Sequence, residues 1–241
     1  MKDAKIYIAG HDISGHSNKV ELKYTAEILD DTTFGASSKS RVAGLKDTDL
    51  SVEGFWEAAS TAATSYKIDD IVNAYLCTAD TLITVCPTDG SQGEVAFCIP
   101  GMLGEYQFGA SVGELTKFTL NGGGNSDLIR GTVMENEQKT SSASGTAQEL
   151  GAVSASQHLY AGIHCYAAEG TLPTLDVTIE SDDAEGFLDP TTRVTFDQLT
   201  TIGSEWATPI AGAIADTWWR VKWVTGGTSP KFTIVVVVGI Q

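Results

Sequence analysis

The side chains best suited to chemistry are few and scattered. None of the histidines, His11, His16, His158 and His164, lies in a HExxH, HxH or Cys/His spacing that would gather ligands around one metal ion. His11 and His16 fall in a Gly/Ser-rich turn and read as solvated loop residues. Carboxylates cluster at Asp30-Asp31, at Asp47 with Asp49, and at Asp182-Asp183 with Glu185. A calcium loop alternates oxygen ligands around a glycine and closes on a later carboxylate. The stretch Asp182-Asp183-Ala184-Glu185-Gly186 comes nearest to that pattern, and a polar hairpin turn is the simpler reading. No GxSxG elbow is present, and no Cys/His pair has a recognisable nucleophile context. Gly122-Gly123-Gly124 is followed by no Lys-Ser/Thr pair and no helical pattern, so it reads as the end of a strand closing at Leu120 rather than a phosphate cradle. Trp206, Trp218, Trp219 and Trp223 could form a platform for stacking on a sugar. Alternation nevertheless puts Trp219, Val221 and Trp223 on one face, which favours core packing. The sequence therefore assigns no catalytic, cofactor-binding or metal-ligating residue, and it predicts a protein that is not an enzyme and needs no cofactor.

Charge narrows the partners. The 241 residues carry 15 Lys+Arg against 31 Asp+Glu, a formal net of −16. Residues up to Asp127 hold 9 basic and 18 acidic side chains and the remainder 6 and 13, so the two parts carry −9 and −7 and the acidity belongs to the whole chain. Nucleic-acid affinity comes mainly from Lys and Arg neutralising phosphates, and no basic patch is present to supply it. Acidity also keeps a concentrated protein soluble, which explains the same charge without any partner. Cys77, Cys86, Cys98 and Cys165 show no CxxC spacing and read as buried free thiols. The start, Met1-Lys2-Asp3-Ala4-Lys5, leads into no long apolar stretch and gives no secretory pattern. The run Ile234–Val238 is far shorter than the ~20 residues of a membrane helix. The expectation is a chain made in a reducing cytoplasm, with no membrane partner.

The elements that must position these residues are mostly strands. Val20, Leu22, Tyr24, Ala26 and Ile28 alternate with Glu21, Lys23, Thr25 and Glu27, the pattern of a strand buried on one side. Comparable signals occur at Leu50–Phe55, Thr81–Cys86, Glu94–Ile99, Glu105–Phe108, Glu114–Leu120, His158–Tyr166, Leu175–Glu180, Arg193–Phe196, Thr217–Val224 and Phe232–Ile240. Gly, Pro, Asn and Asp punctuate them, as in a sandwich or barrel. One segment differs: Ile68, Ile71, Val72, Tyr75 and Leu76 repeat at helical spacing, with Ser65 as a possible cap and Asp69 and Asp70 near the positive end of the dipole. The small, polar run Lys139–Ala147 reads as a linker or exposed loop. The expected organisation is a β-sandwich or barrel module with one flanking short α-helix over residues 1–135, a linker or exposed loop over 136–147, and a second β-sandwich module over 148–241.

The stretch Val20–Glu57 carries a resemblance. A long amphipathic strand ends in Asp30-Asp31-Thr32-Thr33-Phe34-Gly35, crosses a polar connection, and resumes at Val42-Ala43-Gly44-Leu45-Lys46-Asp47 and Leu50-Ser51-Val52-Glu53-Gly54-Phe55-Trp56. This order resembles the major tail tube proteins of long, flexible-tailed (siphovirus-type) bacteriophages, and the helix at Ile68–Leu76 and the strands at Glu94–Ile99 and Ser111–Phe118 are similar to that family's later elements. The region around Leu175–Asp183 and Trp218–Ile240 is similar to C-terminal parts of some phage tail proteins. The second module could also be a further tube-like module.

The resemblance implies a structural virion protein that assembles with itself into rings, trimeric or hexameric, stacked as a tail tube through which genomic DNA passes without specific binding. It implies tape-measure, tail-tip and tail-terminator proteins as further partners, synthesis in a host bacterial cytoplasm, and residence in the virion tail. The Asp30–Asp47 connection is long for a hairpin and carries apolar side chains that a solvated loop does not need. Thr33, Phe34, Arg41, Val42 and Leu45 are accordingly the candidate inter-subunit contacts. The rival reading is a carbohydrate-binding jelly-roll or virion decoration protein using the tryptophans and the Asp182-Asp183 turn.

Overall fold

A computed structural model describes residues 3–59 and 66–241. The protein is mostly β and its sheets are antiparallel. In chain order come β1 (Lys5–Ile8), β2 (His11–Asp12), a 3-10 turn (Ser14–His16), β3 (Ser17–Asp30), β4 (Arg41–Phe55), α1 (Ile68–Tyr75), β5 (Thr81–Cys86), β6 (Val95–Gly109) and β7 (Lys117–Gly124). They are followed by β8 (Ile129–Lys139), β9 (Ala143–Ser144), β10 (Gln148–Glu149), β11 (His158–Asp182), β12 (Thr191–Thr195), β13 (Gly203–Trp206), β14 (Ile210–Ala211) and β15 (Trp218–Ile240). The chain divides into two units: residues 3–15, 81–100 and 129–241 form the first, and 16–59, 66–80 and 101–128 the second.

That division differs from a cut at 136–147, and strand pairing is the reason. β8 runs through residues 136–139 and pairs with β15 from Phe232↔Lys139 to Val238↔Thr132, which ties 129–139 to the end of the chain. The polar run beyond it is stitched down as well. β9 pairs with Lys222 and Trp223, the Trp223 indole N–H donates to the Ser141 carbonyl at 2.8 Å, and the Thr225 N–H donates to Ser142 Oγ at 3.0 Å.

The first unit is organised by β11 and β15, which pair along nearly their whole lengths. A 25-residue strand kept straight would span roughly 80 Å, so both strands bend. Register shifts fall at Cys165/Ala167, Glu169/Thr171 and Thr171/Thr174, beside Gly170, Leu172, Gly227 and Ser229, all at positive φ. The Gly and Pro residues that read as strand ends are the bend. The two halves then share a core: Leu159 and Ile163 lie with Leu175 and Ile179, and Trp219 and Val221 with Ile234 and Val236. β15 buries odd-numbered side chains before the bend and even-numbered ones after it. Its last half also packs on the opposite face, where Val235 and Val237 meet Tyr7, Cys86, Cys98 and Val133. Burial on both faces explains the unbroken apolar run Ile234–Val238. β8 gave no sequence signal because its buried positions include Gly131, Glu135 and Lys139. Glu135 and Lys139 form an ion pair of 2.8 Å, with the ammonium 4.1 Å from the centre of the Trp223 ring.

The second unit is a four-stranded sheet in the order β3-β4-β7-β6 with α1. Register assigns its faces. Val20, Leu22, Leu50, Val52, Phe118 and Leu120 point one way, and the charged alternates point the other. Ile68, Ile71 and Val72 form the buried stripe of α1. At the helix start the Lys67 and Ala59 N–H groups donate to Asp70 Oδ2 at 3.1 and 2.9 Å, which satisfies amides near the helix start. Ser65, the cap suggested by sequence, lies outside the described residues. Gly122–Gly124 continue β7 rather than ending it. A Cβ on Gly122 would sit 2.8 Å from the Met102 carbonyl oxygen, so the glycines let β6 and β7 approach closely.

Candidate assembly surface

Alternation along β3 predicts one buried face, and only its first part finds cover. Val20 and Leu22 are half-buried, whereas Tyr24, Ile28 and Leu29 are exposed, Ile28 at 69%. The cause is pairing length. β4 pairs with β7 over Asp49–Phe55, so, among the described residues, 23–30 and 41–48 have each other and no third strand. The pairs run Tyr24↔Thr48, Thr25↔Asp47 and Ala26↔Lys46, then shift at a bulge to Ile28↔Ala43, Leu29↔Val42 and Asp30↔Arg41. The result is a two-stranded arm extending the sheet. Two-stranded hairpins are marginal in water without a hydrophobic partner.

The five contact candidates fall on this arm. Thr33 and Phe34 are in the tip, 31–40, while Arg41, Val42 and Leu45 belong to β4. The expected long connection from Asp30 to Asp47 is therefore mostly strand, with a shorter loop at its end. Strand structure was masked there because both faces are exposed, and polar residues appear on each. Phe34 is fully exposed at 109% and Leu45 at 83%. The tip holds its own shape: the Thr32 N–H donates to Asp30 Oδ1 at 3.0 Å, the Ser40 N–H to Thr32 Oγ1 at 2.9 Å, and the Ala36 N–H to the Thr33 carbonyl at 3.3 Å. Those Thr32 bonds, with Lys39 nearby, hold the Asp30 carboxyl below its ordinary range. At the root, Tyr24 and Lys46 both donate to the Asp127 carboxylate, at 3.4 and 3.0 Å. Sequence reasoning missed Tyr24 and Ile28 as surface residues because their alternation was the signal of a buried face.

Several other titratable groups are built into the core of the first unit. His164, in the first unit, accepts the Gly10 N–H at Nδ1 (3.1 Å), so its proton sits on Nε2, which faces Thr84 Oγ1 at 2.9 Å. Burial, and then the neighbouring His11, lower its pKa from 6.5 to about 3, leaving a neutral imidazole. His11 is buried and not in a solvated loop, because the turn folds into β2. Burial pushes the Cys86 and Cys98 thiols up to about 12 and Cys165 to about 11, which makes them poor nucleophiles. Cys77 departs from the expected burial: it is exposed, just past α1, at φ 59°. Asp182 closes a hairpin turn, accepting the Ala184 and Asp189 N–H groups at 3.2 and 3.1 Å. Among the described residues no group of three or more His, Cys, Asp or Glu is placed to hold a metal ion. Trp219 and Trp223 are core residues, which removes two of the four tryptophans from any sugar platform.

No protein-family model matches the chain. No curated protein matches it either. Similar chains occur among solved structures, two of them from gene transfer agent particles. One is the virion of a native gene transfer agent particle, at 16% identity and TM-score 0.41, over 53% of this chain and 94% of that one. The other is the tail of an empty gene transfer agent particle computed with helical refinement in C6 symmetry, at 16% identity and TM-score 0.39, with the same coverage. Among the described residues no helix is long and apolar enough to cross a membrane.

Proposed function

We propose that this chain is the major tail tube subunit of a long, flexible-tailed phage-type particle, residing in the virion tail after synthesis in a host bacterium. Copies join through the second unit's sheet into a ring, and rings stack into a conduit for genomic DNA. The observation that carries this reading is the bare arm. It presents apolar side chains and the outer edge of β3, which among the described residues pairs only with β4. An exposed edge is a hazard in a monomer, and closure of a ring removes it. A sheet that lends one edge to a neighbour and borrows another repeats head to tail, which is how a heterologous contact generates rings.

The polar face of the same sheet suits a lumen. By register its carboxylates Glu21, Glu27, Asp47, Asp49, Glu53 and Glu105 outnumber its lysines Lys19, Lys23 and Lys117. Lys19 and Lys23 are taken up by Glu53 and Asp49, at 2.6 and 3.1 Å. The net negative face would repel phosphates, the converse of counterion-release binding. A single open sheet with one arm per chain favours a hexameric over a trimeric ring. Tape-measure, tail-tip and tail-terminator proteins are the partners such a tube requires. Negative-stain electron microscopy and sedimentation velocity of the purified chain test the reading. Rings or tubes are expected, with the ring mass separating hexamer from trimer, and a monomer that persists at high concentration overturns it.

A further inference from the structure

The small, polar run that reads in sequence as a linker is, in the first unit, the wall of a cavity. Between the end of β8 and residues 140–146 lies a space of about 300 Å³, bordered by Glu137, Thr140, Ser144 and Thr146. The buried Glu135, Lys139 and Trp223 also line it. The wall is fixed in place. β9 pairs Ala143 and Ser144 with Trp223 and Lys222, and the Gly145 N–H donates to the Val221 carbonyl at 2.8 Å. Gln92 Nε2 donates to the Met134 and Thr146 carbonyls at 2.9 and 3.3 Å. A Cβ on Gly145 would stand 2.5 Å from Glu135 Oε2, so a side chain there would displace that carboxylate.

The chemistry of the lining selects a class of ligand. Lys139 pairs with Glu135 at 2.8 Å and stands 3.8 Å from Glu137. Two carboxylates outweigh one ammonium, so an anion is repelled, and the ammonium already stands where a cation would be neutralised. The lining offers donors and acceptors side by side instead. Of the three N–H groups of an ammonium, the Glu135 bond uses one and the Trp223 ring, its centre 4.1 Å away, faces another. Carboxylates accept, and the hydroxyls of Thr140, Ser144 and Thr146 do both. A neutral ligand bearing several hydroxyls uses all of these at once, as neither an apolar nor a charged one does. The volume, at the lower end of the range for ligand cavities, has room for a sugar ring.

We propose that this cavity binds a neutral sugar ring, hydrogen-bonded by Glu137, Lys139 and the hydroxyls of Thr140, Ser144 and Thr146. Trp223 serves as the floor that holds the ammonium and not as a stacking face. The site lies within the first unit and does not depend on the arm, so it works in a single chain as in an assembly. Saturation-transfer NMR observes the ligand and therefore suits both states. The probes are the methyl glycosides of glucose, galactose and N-acetylglucosamine, mixed with the full chain, and transfer to ring protons of at least one is expected. Glu137 and Ser144 are exposed, so their variants should keep the urea midpoint of the unmodified chain. Glu137→Gln, which removes a charged acceptor, should weaken binding about 10-fold. Ser144→Tyr, which fills the space, should abolish it. Immobilised oligosaccharides ending in the same sugars separate the sources: capture of these without a response from the free glycosides assigns the end of a glycan, and a response from the free glycosides alone assigns a free sugar. Binding of no sugar in either form, or binding that survives unchanged in both variants, overturns the site.

Discussion

The last half of β15 and the arm formed by β3 and β4 obey the same alternation rule and meet opposite fates. Val235 and Val237 face one core while Ile234, Val236 and Val238 face another, and all are buried. On the arm, Ile28, Val42 and Leu45 are just as apolar, and they stay exposed. The difference is the number of neighbours a strand has. β15 is flanked by β11 and β8, whereas the arm lies beyond the end of β7. Hydrophobic pattern specifies that a face will be covered, and it does not specify by which chain.

The comparison predicts that deletions in the two regions fail in different assays. The largest effect belongs to Trp219→Ala. Trp219 has no accessible surface, and its indole N–H donates to the Gly151 carbonyl at 2.9 Å. Removing so large a buried ring should cost about 3–5 kcal/mol, read as a fall in the urea midpoint of the full chain. A loss below about 1 kcal/mol would show that the core shared by the two halves of β11 and β15 is not as drawn.

A smaller effect, and one that depends on pH, belongs to His164. Its pKa in the folded chain, about 3, is below the ordinary 6.5, so on acidification the unfolded chain takes up the proton first. The stability it contributes is intact above about pH 6.5 and drains away as the pH falls toward about 3. His164→Leu should cost about 1–3 kcal/mol at neutral pH by orphaning the Gly10 N–H and the Thr84 hydroxyl. It should also flatten the decline between pH 6.5 and 5.5 relative to the unmodified chain. Parallel pH profiles for the two proteins would mean that the imidazole is protonated in the fold and the Gly10 bond is absent.

The legibility of the sequence divides along the same line. Thr81–Cys86 was readable to the residue as β5, a short run buried on both faces, and the helix to within one position, because each is bounded by clear breakers. β11 and β15 each read as two strands, since Gly170, Pro173, Gly226 and Gly227 signal an end in sequence but a bend when a long partner spans the break. β8 was hidden by the polar pair Glu135 and Lys139, which satisfy each other inside a core. On the assembly surface, Phe34 and Leu45 were legible as apolar residues without an obvious use. That Arg41, Val42 and Leu45 lie on a strand was not legible, because a ribbon exposed on both faces has the composition of a loop.

The smallest expected change in stability is also the one that most separates the two regions. Leu45 and Ile28 contact water in the single chain, so replacing both by serine removes almost no buried surface. The urea midpoint should move by no more than about 0.5 kcal/mol equivalent, the usual range for surface positions. If a second copy covers this face, the same replacement strips apolar area from every junction in the assembly, and sedimentation should find monomers under conditions where the unmodified chain forms rings. The two readouts constrain each other. A variant that unfolds easily would show that the arm is already packed within its own chain, and one that is stable and still assembles would show that the bare face is not the one that neighbours use. Only intact stability with lost assembly fits an arm whose hydrophobic partner is another copy of the protein.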